Sequence, residues 1–95
     1  MSNVIEQALS ALNEKLSVVG FDGSAKFSIE GEGSVIVDTN GARASDDEAE
    51  VTLIATADVF QDIMAGDLDP TSAFMSGKLR IEGDMGTAMR LSSLF

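Results

Sequence analysis

The sequence predicts an α+β fold, with a five-stranded, mainly antiparallel sheet and helices gathered on one face. Three observations lead there. Apolar residues first recur about every 3.6 positions, then switch to alternation from Ala25 onward and return to it near Leu79. Gly20, Asn40-Gly41, Gly66, Asp69-Pro70 and Gly77 punctuate the chain between those stretches. The resulting order is helix, four strands, two helices, strand, helix, without repeat, low-complexity segment or linker, and that order favours segregated layers.

The first element follows Ser2 and Asn3, either of which can cap a helix, and Asn3 with Glu6 has the spacing of a capping box. Ile5, Ala8, Leu9, Leu12, Leu16 and Val19 form an apolar stripe opposite Glu6, Ser10, Asn13, Glu14 and Ser17, and Gly20 is the stop. Ala25, Phe27 and Ile29 then alternate with Ser24, Lys26, Ser28 and Glu30, a strand with one wet face. After a turn at Gly31-Glu32-Gly33 comes a strand from Ser34 to Asp38, with Ile36 facing away from Val35 and Val37, so both faces are expected to be covered. Asn40-Gly41 predicts a type I′ hairpin into the short Ala-Arg-Ala-Ser segment, because both central residues of that turn need positive φ.

The acidic run Asp46-Asp47-Glu48-Ala49-Glu50 is expected to face water, since it lacks the spacing of a calcium loop. Val51 to Thr56 is a β-branched fourth strand. Thr56 caps a helix from Ala57 to Ala65 with Phe60, Ile63 and Met64 on one side, ended by Gly66. Asp69-Pro70 starts a second short helix that Gly77 closes. Lys78 to Glu82 is a fifth strand with Leu79 and Ile81 inward. A last helix begins at Asp84, and Met85, Ala88, Met89, Leu91, Leu94 and Phe95 cover more than one stripe, which predicts burial on more than one side. Gly83 and Gly86 are expected to serve a turn and a close helix approach, because they lack the pattern of a phosphate loop.

Composition narrows the function. Ninety-five residues suit one domain, residues 1–95, able to bury roughly two thirds of its unfolded surface. The core must be aliphatic, with five phenylalanines and five methionines as adaptable pieces. Those methionines suit ordinary gap-filling and a deformable pocket alike. Histidine, cysteine, tyrosine and tryptophan are absent, which removes the usual general base, the best nucleophile and the imidazole and thiolate metal ligands. No serine nucleophile motif is present, so a non-enzyme without metal or cofactor is expected.

Six basic against sixteen acidic residues give a net charge of -10, which opposes nucleic-acid binding. Residues 1–77 carry -11 and residues 78–95 carry +1. The opening residues have neither a basic leader nor a long apolar run, so the expectation is a cytoplasmic protein without stable membrane insertion.

Gly-Asp-Leu-Asp-Pro (66–70), Ser-Ala-Phe-Met-Ser-Gly-Lys-Leu-Arg-Ile-Glu-Gly-Asp-Met-Gly (72–86) and Ala-Met-Arg-Leu (88–91) resemble the sterol carrier protein 2 family, as do Val35 to Gly41 and Ala49 to Leu53. The likeness covers roughly residues 5–95, the first helix by pattern only. It implies a hydrophobic tunnel between sheet and helices for a fatty acid, acyl-CoA, sterol or phospholipid. Carried over, Phe60, Ile63, Met64, Phe74, Met75, Leu79, Ile81, Met85 and Met89 are candidate lining residues, each equally placed to be plain core.

An acidic headgroup would look to Lys78, Arg80 or Arg90, or to the backbone amides of the helix after Asp84. The sequence departs from the better-known animal members: it is short at both ends, lacks a peroxisomal tripeptide after Leu94-Phe95, and is acidic where they are basic. A short stand-alone form is therefore expected, without the C-terminal segment that covers the tunnel in longer members. Burying about fifteen methylenes yields roughly 12 kcal/mol gross against about 4 to 15 kcal/mol for association, so micromolar affinity is expected. An empty cavity of about 300 Å³ would cost roughly 7 kcal/mol, which predicts partial collapse without ligand. The other reading is an interaction module of the same fold with a filled core, docking on an acceptor enzyme or pairing through the Leu91 to Phe95 end of the C-terminal helix.

Overall fold

The computed structural model describes residues 3–18 and 20–92, Ser92 by its backbone alone. Helix α1 (Asn3–Val18) leads into β1 (Ala25–Glu30), β2 (Gly33–Asp38), β3 (Gly41–Ala44) and β4 (Val51–Thr56). Then come α2 (Ala57–Ala65), α3 (Pro70–Met75), β5 (Arg80–Gly83) and α4 (Met85–Ser92). The expected order holds throughout. The strands lie in the order β3-β2-β1-β4-β5. Three of the four pairings are antiparallel and β1–β4 is parallel, so the sheet is mixed as well as mainly antiparallel.

The pleat decides which face is dry. Ala25, Phe27 and Ile29 of β1, Val35 and Val37 of β2, and Val51, Leu53 and Ala55 of β4 are buried on one face. Ile5, Ala8 and Leu12 of α1, Phe60 and Ile63 of α2, Ala73 of α3, and Ala88 and Leu91 of α4 pack against them. A helix stripe and a strand face with these periods can each bury apolar area only against the other, which supplies the main driving force for the layering. Phe27 and Phe60 meet edge to face, ring centres 5.5 Å apart, an arrangement that adds about 0.5–1.5 kcal/mol beyond area burial.

The opposite face carries Ile36, beside Lys26 in the β1–β2 register and only 2% exposed. The Lys26 ammonium reaches the Asp46 carboxylate at 3.2 Å and its carbonyl at 3.3 Å, so the acidic connection from β3 to β4 crosses the outer face there. Covering of both faces of β2 is thus observed. Asp46, Asp47, Glu48 and Glu50 remain exposed, as expected for a solvated run.

Local chemistry sets the helix ends. The Thr56 hydroxyl accepts from the Val59 N–H at 3.3 Å, and Gly66 takes the left-handed conformation at φ 82°, bounding α2 where the sequence places it. Asp69 accepts from the Ser72 N–H at 3.1 Å with Pro70 at the first helical position. Gly20 closes α1 with its N–H on the Leu16 carbonyl at 2.9 Å.

Four expectations need correction. Asn3 is already helical rather than a cap, so the Asn3–Glu6 capping box does not form as read, and Ser2 lies outside the described residues, as does Val19 of the predicted stripe. The β2–β3 hairpin forms with Thr39 and Asn40 at its tip, but among the described residues no non-glycine has positive φ, so the turn is not type I′. The Asp38 carboxylate accepts the Asn40 N–H at 2.9 Å and bonds Arg43 at 2.8 Å, a side-chain turn that makes left-handed Asn40 unnecessary. The fifth strand starts at Arg80 rather than Lys78, because the Lys78 and Leu79 N–H groups close α3 on the Ala73 carbonyl.

The fourth correction concerns α4. Thr87, Ala88 and Leu91 are buried, whereas Met85 is 47% and Met89 73% exposed, so the described part of this helix is buried on one side only. Leu94 and Phe95 lie outside the described residues.

Candidate functional site

Among the described residues, two clefts open in the apolar space between the layers. The first, about 190 Å³, lies between α3 and α4 above the β4–β5 side of the sheet. Leu53 and Ile81, directly paired across β4 and β5, join Leu79 at its base, Pro70, Thr71 and Phe74 come from α3, and Met85, Ala88, Met89 and Leu91 from α4. The second, about 240 Å³, lies between α1 and α2 and is lined by Val4, Gln7, Ala8, Ala11, Ile29, Phe60, Gln61, Met64 and Ala65. Phe60 lines the second cleft, and Phe27 stands beside Leu53 in the β1–β4 register, so the edge-to-face ring pair lies between the two.

The nine candidate lining residues therefore divide. Phe74, Leu79, Ile81, Met85 and Met89 are brought together in the first cleft. Phe60 and Met64 line the second. Ile63 is buried in the core and lines neither cleft, and Met75, 80% exposed, stands outside both. Leu53, Ala88 and Leu91 read in the sequence simply as core, and Pro70 and Thr71 as a helix start; only tertiary packing turns them into lining. Phe74, Met85 and Met89 are at once lining and exposed, which makes the rim of the first cleft an apolar opening.

None of the three candidate headgroup cations lines either cleft. Arg80 pairs with Ile54 on the opposite side of the strand from Ile81 and bonds the Glu82 carboxylate at 2.9 Å. Arg90 donates to the Thr87 hydroxyl at 3.2 Å, on the flank of α4 away from Met85 and Met89. Lys78 is exposed just past α3.

The amides at the start of α4 are also engaged. The Asp84 carboxylate accepts the Thr87 hydroxyl and, at 3.0 Å, the Thr87 N–H, and these bonds hold its carboxyl below the ordinary value of 3.8. At α3 the Asp69 carboxylate plays the same capping part. Among the described residues no cluster of metal-ligating side chains is found, and no helix is long and apolar enough to cross a membrane.

A tight backbone junction anchors α4. Gly83, at φ 109°, lies against β4 so closely that a Cβ there would sit 2.5 Å from the Glu50 carbonyl oxygen, and the Asp84 N–H donates to that oxygen at 2.9 Å. The close approach expected at Gly83 is thus real, while at Gly86 a Cβ would meet only the Asp84 carboxylate at 3.7 Å, an ordinary contact. Glu50 in turn exchanges two bonds with Ser24, accepting its N–H at 2.9 Å and donating its own N–H to the hydroxyl at 3.0 Å.

Comparison with known proteins adds the following. The SCP-2 sterol transfer family matches residues 3–95. Sterol carrier protein 2 of Rattus norvegicus is 42% identical over 64 residues, 67% of this chain and 11% of that protein. Hydroxysteroid dehydrogenase-like protein 2 of Homo sapiens is 48% identical over 48 residues, 50% of this chain and 12% of that protein. The chain thus spans about an eighth of the length of these curated relatives. The solution structure of the Aedes aegypti sterol carrier protein-2 in complex with palmitate superposes with a TM-score of 0.80 at 22% identity, covering 98% of this chain and 94% of that one. At that identity the likeness is one of fold.

Proposed function

The chain belongs to the SCP-2 sterol transfer family, and from that premise we propose that it binds and carries or presents a long-chain lipid, without catalysis, with the apolar tail in the α3–α4 cleft. The observation that carries the reading is the lining of that cleft: nine apolar side chains and one hydroxyl, open at an apolar rim. The palmitate complex of the Aedes relative supports the same class of ligand.

At about 190 Å³ the cleft is smaller than the roughly 300 Å³ at which small-molecule pockets usually begin, so a full acyl chain needs the rim to open. Phe74, Met85 and Met89 are the parts that can move, because they are 42%, 47% and 73% exposed and methionine adapts at low cost. Burial of alkyl surface is non-directional and discriminates weakly between chain lengths, so the choice of sterol, acyl-CoA, fatty acid or phospholipid falls to the head and the rim.

On this reading residues 1–95 work as one lipid-binding unit in the cytoplasm. The match to part of a dehydrogenase-like protein supports presentation of the lipid to an acceptor enzyme. Pairing of two copies through the C-terminal helix is less favoured, since Leu91 is fully buried in the core.

Native mass spectrometry of the delipidated protein tests the proposal. Stoichiometric, saturable adducts with at least one of palmitate, palmitoyl-CoA, hexadecanol or cholesterol are expected at micromolar concentration. A folded protein that takes up none of them would refute it.

A further inference from the structure

We infer that the α3–α4 cleft selects long-chain lipids with an uncharged head, such as alcohols and esters, over those that carry a free carboxylate. The inference rests on the lipid-binding reading above and adds the head chemistry.

The lining sets the head chemistry. Its ten residues include no charged side chain, and the Thr71 hydroxyl is their single polar side-chain group. A carboxylate drawn into this cleft would lose water without gaining a cation, which is costly, whereas an alcohol or ester needs only one hydrogen bond. Thr71 is exposed at the start of α3, which places its hydroxyl at the rim, where the head of a lipid with its tail inside would rest.

The helix starts next to the cleft are already capped. Pro70 and Met85 both line the cleft, and each directly follows the aspartate that caps its helix, Asp69 for α3 and Asp84 for α4. The N-terminal amides that commonly receive anions are thereby occupied by the protein's own carboxylates. An incoming carboxylate finds the Ser72 and Thr87 amides already engaged. Arg80 faces the other side of the strand beside Glu82, and Arg90 lies on the far flank of α4. The net charge of -10 adds a long-range repulsion that salt can screen.

The test loads the delipidated full chain from cyclodextrin with equal amounts of hexadecanol and palmitate at low salt and neutral pH, then extracts and counts the bound lipids. The alcohol should exceed the acid by about tenfold, and the excess should shrink near 1 M salt, where the screening length falls to about 3 Å. Thr71→Lys, an exposed substitution, places a cation on the rim and should shift the ratio toward palmitate by about tenfold. Equal or preferential uptake of palmitate by the unaltered protein overturns this inference and leaves the lipid-binding proposal standing. A ratio unmoved by the lysine overturns it as well. Uptake of neither lipid, with sterol and acyl-CoA also refused, overturns the lipid-binding proposal and this inference with it.

Discussion

Leu53 and Ile81 face each other across β4 and β5 on the helix-covered side of the sheet, and the pair forms part of the base of the α3–α4 cleft. Leu53 is buried and Ile81 partly exposed, so the cleft starts within the core and opens outward between two helices. Anything that fills the space above this pair competes with ligand. Ala88→Phe, from the α4 wall, should lower lipid affinity at least about tenfold while costing no more than the roughly 1–3 kcal/mol of a moderately overpacked core. Ala65→Phe, in the other cleft, should leave affinity unchanged. Titration calorimetry and urea unfolding on both variants check the pair of expectations.

Gly83 is where a single methyl should do most damage outside the apolar core. Its positive φ and the 2.5 Å approach of a Cβ to the Glu50 carbonyl leave no room for alanine without moving backbone. Gly83→Ala should lose about 2–4 kcal/mol in urea unfolding, by left-handed strain and displacement of α4 from β4. Gly86→Ala, with only ordinary contacts near its Cβ, should be neutral or slightly stabilising by helix propensity.

Acid should weaken the fold through two carboxylates. Asp84 is held low by its bonds from Thr87, and Asp38 by the bond from Arg43 and then the Asn40 N–H. Each has a folded pKa below its unfolded value near 3.8, so its stabilising contribution is fully present above that value and is lost as pH falls through the lower folded one. Urea midpoints followed from about pH 6 to pH 2 should hold and then drop below about pH 4. Asp84→Asn should show a smaller drop over that window, and an unchanged drop would contradict the role given to Asp84.

Much of the fold was legible because its signals are local. Thr56 with Gly66, and Asp69-Pro70 with Gly77, mark helix ends through bonds to neighbours within a few residues, and the α2 bounds match the expectation. Where a competing local bond exists, the reading fails: Asp38 takes the Asn40 N–H, and Asn40-Gly41 no longer needs a type I′ turn. The parallel pairing of β1 with β4 depends on where the acidic connection crosses, a relation between Lys26 and Asp46 twenty residues apart.

The site was legible only in part, because apolar character does not say which side of a side chain meets solvent. Phe74, Leu79, Ile81, Met85 and Met89 converge as expected, yet Phe60 and Met64 belong to a different cleft and Ile63 to the core. Met75 is as apolar as Met85 and points elsewhere. Ala88 and Leu91 carry no mark in the sequence that distinguishes a wall from a core, since both roles ask for the same chemistry.

The methionines themselves offer the most direct measurement. Met85 and Met89 line the α3–α4 cleft, Met64 lines the α1–α2 cleft, and Met75 stands outside both. With methionine methyls labelled in carbon-13, titration with hexadecanol should shift the Met85 and Met89 signals together and saturably, leaving Met64 and Met75 in place. A ligand that binds but moves Met64 while Met85 and Met89 stay fixed would contradict the assignment of the lipid to the α3–α4 cleft.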